Sequence, residues 1–519
     1  MGLGKYDVVI IGSGLGGLQC GYILSKHGLN VCVLEKNAQP GGCLQTFRRG
    51  HLSFDTGFHY VGGLDAGQPL HRLFDYFHLL DLPWRRLDEN GFDEVVIHDK
   101  SYMFANGYES FAETLVEHFP DQKENLKKYT SFLRNVSENI FNSFVKQNDE
   151  NLYGASLFTK SAYDYLCTTI DNPLLRQVLS GTSLKMELNA QTLPLYIFAQ
   201  INSSYIQSAW RLQGGGSQIA DALIKYIRAN GGTVRMNAEV TRLIEADGKI
   251  TAVEVNGFSD KKVDTANYEA EHIEADFFIA DTHPAAALAL IHDSKLIRDI
   301  YRKRVTNLEN SFGLFTVNIA LKENVAPYQN RNIYIHKTED VWQHDDYHPD
   351  CVLVSFQIPN DYVPDSRHTS FSSNIDLLTP MYWQEIEQWN RTGIGHRGTD
   401  YLSFKNKKAE ECINIASKRL PGLKDLANPM DAITRIYTST PLTWRDYTGA
   451  PQGTAYGVRK KYNQVMTTLL SPRTPEPNLF LTGQNLNLHG VLGVSMTSLL
   501  TCAEIIGHEE SKNIFRFLS

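Results

Sequence analysis

The chain has 519 residues, of which 42% are hydrophobic, 11% aromatic and 21% charged. This composition is that of an ordinary globular protein, and the length is enough for about three domains. Lysine and arginine number 50 against 58 aspartate and glutamate residues, for a formal net charge of −8. Nucleic-acid binding typically uses a clustered basic surface, so we expect no nucleic-acid partner for this mildly acidic chain.

The cysteines indicate a reducing compartment. They are odd in number and form no CxxC pair, lying at Cys20, Cys32, Cys43, Cys167, Cys351, Cys412 and Cys502. Neither a disulfide framework nor a metal site is expected from this spacing. A strand that starts at Tyr6 leaves no room for a signal peptide, and residues 490–507 are too polar for a membrane span. We therefore expect a cytoplasmic protein, with peripheral membrane contact as an open alternative.

The first predicted elements form a strand–helix–strand unit. Residues 6–11 are a mostly apolar run, typical of a strand that is buried on both faces. Glycines follow, then a helix that stops near Gly28, and a second apolar strand over residues 30–34 that ends at Glu35. Three elements in this order, within about thirty residues, are typical of a βαβ unit.

The glycines after the first strand fit a dinucleotide-binding fingerprint. Gly12 permits a tight turn, Gly14 allows close approach of a pyrophosphate, and Gly17 allows close helix–strand packing. The following helix N-terminus favours the anionic pyrophosphate. Glu35 follows Gly12 by about twenty residues, so its carboxylate can accept hydrogen bonds from a ribose diol and would repel a phosphorylated ribose. The fingerprint alone leaves FAD and NAD open.

The next part of the chain, residues 68–212, shows helical spacing of apolar residues. One apolar stripe is spaced as a single helix face, at Phe132, Leu133, Val136, Ile140, Phe141, Phe144 and Val145. We interpret the stripe chiefly as the buried face of a helix. The alternative is a lip that enters a membrane to collect a lipid.

Later segments return to the pattern of a nucleotide-binding sheet. The predicted elements are a helix over 217–230, strands over 233–236, 239–246, 249–255, 274–281 and 478–483, and a final helix over about 494–506. We therefore expect a nucleotide-binding domain in three pieces, with a substrate-binding domain built from the two inserts. The pieces are residues 1–65, 205–290 and 475–519, and the inserts are residues 66–204 and 291–474.

Several stretches resemble the FAD-binding amine oxidase and phytoene desaturase superfamily, and above all its branch of all-trans-retinol 13,14-reductases and carotenoid isomerases. They are GGCLQTF at 41–47, FDTGFHYVGG at 54–63, TPLTWRDYTGAPQGTAYG at 440–457, and LFLTGQN with HGVLG between 479 and 493. Together with the fingerprint they extend over nearly the whole chain. The resemblance implies an α/β fold, with a Rossmann-like FAD-binding domain, discontinuous in sequence, and an inserted α+β substrate-binding domain.

The resemblance also implies which residues contact the cofactor, FAD. Besides the fingerprint glycines and Glu35, these are Lys36, Gly41, Gly42, Val240, Gly483 and Gly493. One departure is Cys43, where many superfamily members carry arginine. The pyrophosphate then depends more on backbone N–H groups, which favours the branch of all-trans-retinol 13,14-reductases over the amine oxidases.

The flavin supplies the hydride chemistry, so the protein has to bind, orient and exclude water. Reduction of a carbon–carbon double bond also needs a proton from an acid, and desaturation needs a base. The first candidate is His59, which follows the turn that in this family leads toward the flavin, with Tyr60 and His489 as further candidates. A histidine at such a place is more often a structural hydrogen bonder, and water is an alternative proton source.

The expected function is reduction or desaturation of a double bond in a hydrophobic polyene or isoprenoid. Redox-neutral isomerisation of a carotenoid is an alternative on the same fold. A non-enzyme alternative is an escort for prenylated proteins, as in the related GDP-dissociation inhibitors. No second strand–GxGxxG–helix unit is visible for a nicotinamide, so electrons are expected to come from, or go to, an external partner.

Overall fold

The computed structural model describes residues 5–141, 152–257, 270–342, 351–364, 366 and 368–518. The strands in these ranges are β1 (Tyr6–Ile11), β2 (Val31–Leu34), β3 (Thr46–Arg49), β4 (Leu52–Asp55), β5 (Val61–Gly62), β6 (Trp84–Arg86), β7 (Asp93–Ile97), β8 (Lys100–Phe104), β9 (Ala209–Leu212), β10 (Thr233–Arg235), β11 (Ala238–Ala246), β12 (Lys249–Gly257), β13 (Glu271–Ala280), β14 (Gly313–Leu321), β15 (Asn332–His336), β16 (Cys351–Phe356), β17 (Asn374–Met381), β18 (Ile433–Ser439) and β19 (Leu479–Leu481). The helices are α1 (Leu15–Lys26), α2 (Pro69–Tyr76), α3 (Tyr108–Val116), α4 (Lys123–Glu138), α5 (Leu152–Phe158), α6 (Ala162–Thr169), α7 (Pro173–Leu179), α8 (Leu195–Gln207), α9 (Ser217–Ala229), α10 (Pro284–Ala289), α11 (Asp299–Thr306), α12 (Gly398–Ser417), α13 (Pro441–Thr448), α14 (Val465–Thr468), α15 (Gly490–Ile506) and α16 (His508–Leu518).

The first sheet carries the predicted βαβ unit. Strands β10, β2, β1 and β13 are parallel neighbours in that order. The C-terminal half of β13 pairs with β19, also in parallel, and its N-terminal half pairs with the antiparallel hairpin β11–β12. The carboxyl ends of β1, β2, β13 and β19 therefore meet at one edge, which is where ligands bind in open α/β sheets.

Helix α1 is buried between α9 and α15, and its glycines allow this close packing. A Cβ on Gly17 would lie 2.3 Å from the carbonyl oxygen of Gly12, and one on Gly21 would lie 2.9 Å from Cδ1 of Ile227. Helix and strand are thus in direct backbone contact at Gly17, the packing function that the fingerprint predicts for it.

The second sheet combines strands from both inserts. Its order is β18-β14-β17-β16-β15-β7-β8, with β7 parallel to β15 and the other pairs antiparallel. One face of the sheet packs on α12 through residues such as Val317 and Ile319. The opposite face, with Leu314 and Leu353, packs toward the helices of the first insert.

The apolar stripe of the first insert does not form one helix. Helix α4 ends at Glu138, and Ile140 and Phe141 follow it, each 4% exposed within the core. Val136 is also buried, whereas Phe144 and Val145 lie outside the described residues. The burial of Leu133, Val136, Ile140 and Phe141 favours the interpretation as core over a membrane lip, and the half-buried Phe132 packs against a core cluster.

Two further differences separate the predicted and observed elements. Strands β6 to β8 were not predicted, because the apolar residues of the first insert are spaced as in helices. Helix α15 begins at Gly490, four residues before its predicted start. No described helix is both long enough and apolar enough to span a membrane. None of the seven cysteines, all within described ranges, forms a disulfide.

Candidate functional site

A continuous cavity of about 460 Å³ extends from the carboxyl edge of the first sheet to the second sheet. Most of the predicted site residues line it, and the structure thus brings them together from distant parts of the chain. They are Gly12, Gly14, Glu35, Lys36, Gly41, Gly42, His59, Tyr60, Val240, Gly483 and His489.

Gly17 and Gly493 belong to the packing around the cavity. A Cβ on Gly493 would lie 2.4 Å from the carbonyl oxygen of Leu488. The missing side chain therefore lets α15 approach the backbone that precedes it. The expected cofactor contact of Gly493 stays a prediction.

Two glycine turns face each other at the dinucleotide end of the cavity. Gly12 has φ +100°, and a Cβ there would lie 2.8 Å from the carbonyl oxygen of Asp281. A Cβ on Gly42, also at positive φ, would lie 3.3 Å from Cα of Gly14. The backbone N–H of Gly41 donates to the Ser13 carbonyl at 3.0 Å and so ties the turns together. The result is a narrow cradle lined by backbone.

Glu35 is held in place by the first glycine turn. Its Oε2 accepts hydrogen bonds from the N–H of Ser13 at 3.1 Å and from the Ser13 hydroxyl at 2.6 Å. Its Oε1 accepts from the N–H of Asn37 at 2.9 Å. A carboxylate offers about four acceptor positions, so this buried group is oriented and retains capacity for a ligand hydroxyl.

Asp281 follows β13 directly and is a cavity residue that the sequence analysis did not single out. Burial and, to a smaller extent, the nearby carboxylate of Glu35 raise the pKa of its carboxyl to about 7, against the lowering effect of the Gly17 N–H. Oδ2 of Asp281 and the hydroxyl of Thr282 are buried without a hydrogen-bond partner in the described ranges. The sequence did contain one signal for this residue, because Asp281 is an acid at the end of a third parallel strand.

His59 lines the cavity, but both of its ring nitrogens are buried without a partner among the described residues. Burial and, to a smaller extent, the charge of Arg211 lower the pKa of this imidazole to about 4. At neutral pH the ring is therefore uncharged. A charged imidazolium, the form in which a histidine donates a proton most readily, is therefore disfavoured at His59.

The other two candidates have defined partners. The Tyr60 hydroxyl donates to Oδ2 of Asp93 at 2.9 Å and lies 2.7 Å from the hydroxyl of Tyr334. His489 has its Nε2 3.0 Å from the carbonyl oxygen of Lys185 and stacks on Tyr456, with ring centroids 4.3 Å apart. Burial lowers the pKa of His489 to about 4, so this ring is also uncharged at neutral pH.

The remaining lining divides the cavity into two regions. The second sheet and its surroundings supply an apolar wall, from Leu184, Leu314, Leu353, Leu378 and Ala455. Near Glu35, by contrast, the lining comes from α13 and the residues after it, which include Trp444 and Tyr447. The Asn37 side chain donates to the Tyr447 carbonyl at 2.9 Å. Part of the second insert thus reaches the dinucleotide end.

The fold is that of the flavin amine oxidase class. Putrescine oxidase with bound putrescine aligns with a TM-score of 0.60 at 15% identity, over 97% of this chain and 99% of that structure. An oxidoreductase from Methanosarcina mazei aligns with a TM-score of 0.61 at 16% identity, over 95% and 99%. Residues 10–77 match the family model of an NAD(P)-binding Rossmann-like domain. The predicted fold class is confirmed.

Among characterised sequences, the chain is similar to all-trans-retinol 13,14-reductase of Danio rerio, at 27% identity over 96% of this chain and 86% of that protein. It is 22% identical to prolycopene isomerase 2 of an Oncidium hybrid cultivar, over 87% and 75%. It is 24% identical to a 4,4'-diapophytoene desaturase of Methylomonas, over 88% and 86%. The resemblance predicted from the sequence motifs is confirmed.

Proposed function

We propose that this protein is an FAD-dependent oxidoreductase that reduces a carbon–carbon double bond of a hydrophobic polyene or isoprenoid. The observation that best supports this proposal is that one cavity joins a backbone cradle for a dinucleotide to an apolar wall. The near full-length similarity to a retinol reductase supports the substrate class and favours reduction.

The residues of the cradle fit a flavin dinucleotide. Opposed glycine turns leave space for a pyrophosphate beside the N-terminus of α1, and the oriented carboxylate of Glu35 suits a ribose. Unpartnered polar atoms of His59, Asp281 and Thr282 offer hydrogen bonds to a polar ligand. When bound, FAD supplies hydride transfer to or from carbon.

The apolar region supports a long hydrocarbon substrate. Leucines on three strands of the second sheet, Leu314, Leu353 and Leu378, form one wall, and the aromatic rings of Tyr334 and Tyr456 extend it. Such a surface favours a flat conjugated chain and excludes water from the reacting carbons.

The electron source is an external partner, and the location is cytoplasmic or peripheral at a membrane.

A redox-neutral carotenoid isomerisation is a second candidate, because an isomerase is among the similar sequences. A lipid escort is disfavoured, since such a binder has no need of the glycine cradle. Anaerobic incubation of the flavin-loaded protein, reduced or oxidised, with all-trans-retinol and prolycopene, followed by mass spectrometry, distinguishes the candidates. A gain of two hydrogens supports the proposal, a loss of two indicates a desaturase, and an unchanged mass with a new isomer indicates an isomerase.

Gly14→Val provides the matched control. Its side chain would be forced against Asp281, because a Cβ at residue 14 already lies 2.5 Å from Oδ2 of that residue. We expect this variant to purify without flavin absorbance and to leave both polyenes unchanged. A wild-type protein that neither carries nor takes up FAD would overturn the proposal.

A further inference from the structure

A group of four polar side chains lies at the apolar end of the cavity, and we call it the Lys185 cluster: Tyr60, Asp93, Lys185 and Tyr334. Lys185 Nζ lies 2.7 Å from Oδ2 of Asp93, and the same oxygen accepts the Tyr60 hydroxyl at 2.9 Å. Tyr334 extends the chain of contacts, with its hydroxyl 2.7 Å from that of Tyr60. One carboxylate oxygen therefore connects an ammonium group to a pair of phenols.

The charges of this cluster are deeply buried. The side chain of Lys185 is 5% exposed and that of Asp93 is not exposed at all. The ammonium also faces the ring of Tyr205, with Nζ 4.0 Å from the centroid, and that of Tyr60 at 5.3 Å. An apolar pair of similar volume often stabilises a fold as well as a buried ion pair does. The stability of the fold alone therefore does not explain why these two charged side chains are buried here.

Lys185 stands between two chambers. It lines the main cavity together with Tyr60 and Tyr334, and it also lines a side chamber of about 50 Å³. Gln200, Ser204 and His489 are further polar residues around that side chamber. Because one water needs about 10–15 Å³ and two to four polar partners, the side chamber has room for a small number of waters.

The phenols are better placed than His59 to supply a proton. His59 is uncharged at neutral pH and its nitrogens contact no donor or acceptor in the described ranges. Burial, together with the charge of Asp93, raises the pKa of Tyr60 well above its usual range, so the phenol is protonated at neutral pH. Lys185 lies close enough to Asp93 to return a proton to Tyr60 through this carboxylate.

We propose that the Lys185 cluster is a proton relay that carries protons from water in the side chamber, through Lys185 and Asp93, to Tyr60 at the substrate. The inference rests on the proposed function. Bound and reduced FAD would supply a hydride to one alkene carbon, and Tyr60 would supply a proton to the other. Asp93 passes a proton from the Lys185 ammonium to the tyrosinate, and water reprotonates the amine. The double bond thus gains one hydride and one proton, and the cluster returns to its starting state.

The test is a single turnover of enzyme whose flavin has been reduced anaerobically, followed by flavin absorbance after addition of all-trans-retinol. Tyr60→Phe removes the donor. Lys185→Met combined with Asp93→Asn removes the supply without leaving one charge unpaired in the interior. Tyr60→Phe is expected to slow this single turnover about a hundredfold, the low end for loss of a general acid. The double variant should keep the first turnover and slow repeated turnover under excess chemical reductant, because it loses only the reprotonation of Tyr60. Retinol affinity, flavin occupancy and flavin midpoint potential should stay at wild-type values.

Matched controls separate the relay from general damage. Tyr129→Phe deletes another buried hydroxyl, which has no partner among the described residues, away from the cavity lining. Lys408→Met combined with Glu385→Gln neutralises another buried ion pair, whose side chains are 5% and 6% exposed. Both controls should turn over at the wild-type rate and keep the solvent isotope effect, which the Tyr60 variant should lose.

Two outcomes overturn the relay by different routes. A wild-type rate of repeated turnover in the Lys185→Met, Asp93→Asn double variant would overturn the relay alone. A reduced wild-type enzyme that leaves both all-trans-retinol and prolycopene unchanged would overturn the proposed function, and the relay with it.

Discussion

The carboxyl of Asp281 lies so close to the first glycine turn that a Cβ on Gly14 would come within 2.5 Å of its Oδ2. A Cβ on Gly483, in the turn after β19, would come within 2.6 Å of Oδ1. Segments from the beginning, middle and end of the chain therefore converge on one acid. Under the proposed function a pyrophosphate would lie beside the same turns, so the protonation of Asp281 would affect both the cofactor-free protein and the binding of a dinucleotide.

The first prediction concerns the stability of the cofactor-free protein. Burial raises the pKa of Asp281 from an ordinary 3.8 to about 7, so between these values the folded protein binds more protons than the unfolded chain. Stability contributed by this group should therefore fall as pH rises from 4 to 7. Asp281→Asn removes that loss, and the variant should gain up to about 4 kcal/mol over wild type at pH 8.

Urea unfolding of both proteins at pH 5 and pH 8 measures the difference. Asp55 and Asp376, whose pKa values burial raises to about 6 and about 7, are present in both proteins, so their effects cancel in the comparison. An equal pH dependence in the two proteins would contradict the assignment to Asp281.

The second prediction concerns Glu35 and cofactor affinity. Glu35→Ala removes the acceptor for a ribose hydroxyl and the group that orients Ser13 and Asn37. We expect FAD binding to weaken by about 2–4 kcal/mol, measured by flavin fluorescence during titration of the apoprotein. Glu113→Ala, an exposed acid on α3, is the control and should bind FAD normally. Full flavin occupancy in the Glu35 variant would exclude this residue as the ribose acid.

Much of the dinucleotide end could be predicted from the sequence because its signals are local. The strand before Gly12, the helix after it and the acid at the end of β2 all lie within thirty residues, and the observed bounds agree with the predicted ones. The turn at residues 247–248 is local in the same sense, since positive φ at Asp247 and Gly248 suits a tight hairpin.

The substrate end could not be predicted in this way. Tyr60 contacts Asp93 and Tyr334, which are 33 and 274 residues away in sequence, and their strands pair only after both inserts have met in one sheet. Lys185 follows no motif, and its position depends on the same sheet. The low pKa of His59 is likewise a consequence of burial by residues from several elements, which the local sequence does not encode.

The third prediction concerns the apolar stripe. Ile140→Asp places a charge in a core position that is 4% exposed, so we expect at least about 3 kcal/mol of lost stability in thermal or urea unfolding. Ile300→Asp, at a residue that is 79% exposed, should leave stability nearly unchanged. If Ile140 instead belonged to a membrane lip, its variant would keep full stability and lose liposome binding in flotation assays.

The last prediction concerns His59. Burial lowers the pKa of its imidazole to about 4, so between pH 4 and 6.5 the unfolded chain binds more protons at this residue than the folded protein does. The native state therefore loses stability as pH falls through this range, and His59→Gln should be less sensitive to it. At neutral pH, glutamine replaces one uncharged polar side chain with another. We expect flavin occupancy to persist and turnover to stay within about tenfold of wild type, well short of the hundredfold expected for a lost proton donor. Steady-state rates between pH 5.5 and 8 provide the check, because an uncharged His59 contributes no inflection there. A hundredfold loss of turnover in His59→Gln with full flavin, together with a wild-type inflection near pH 6.5 that the variant lacks, would make the imidazolium the donor and remove Tyr60 from that function.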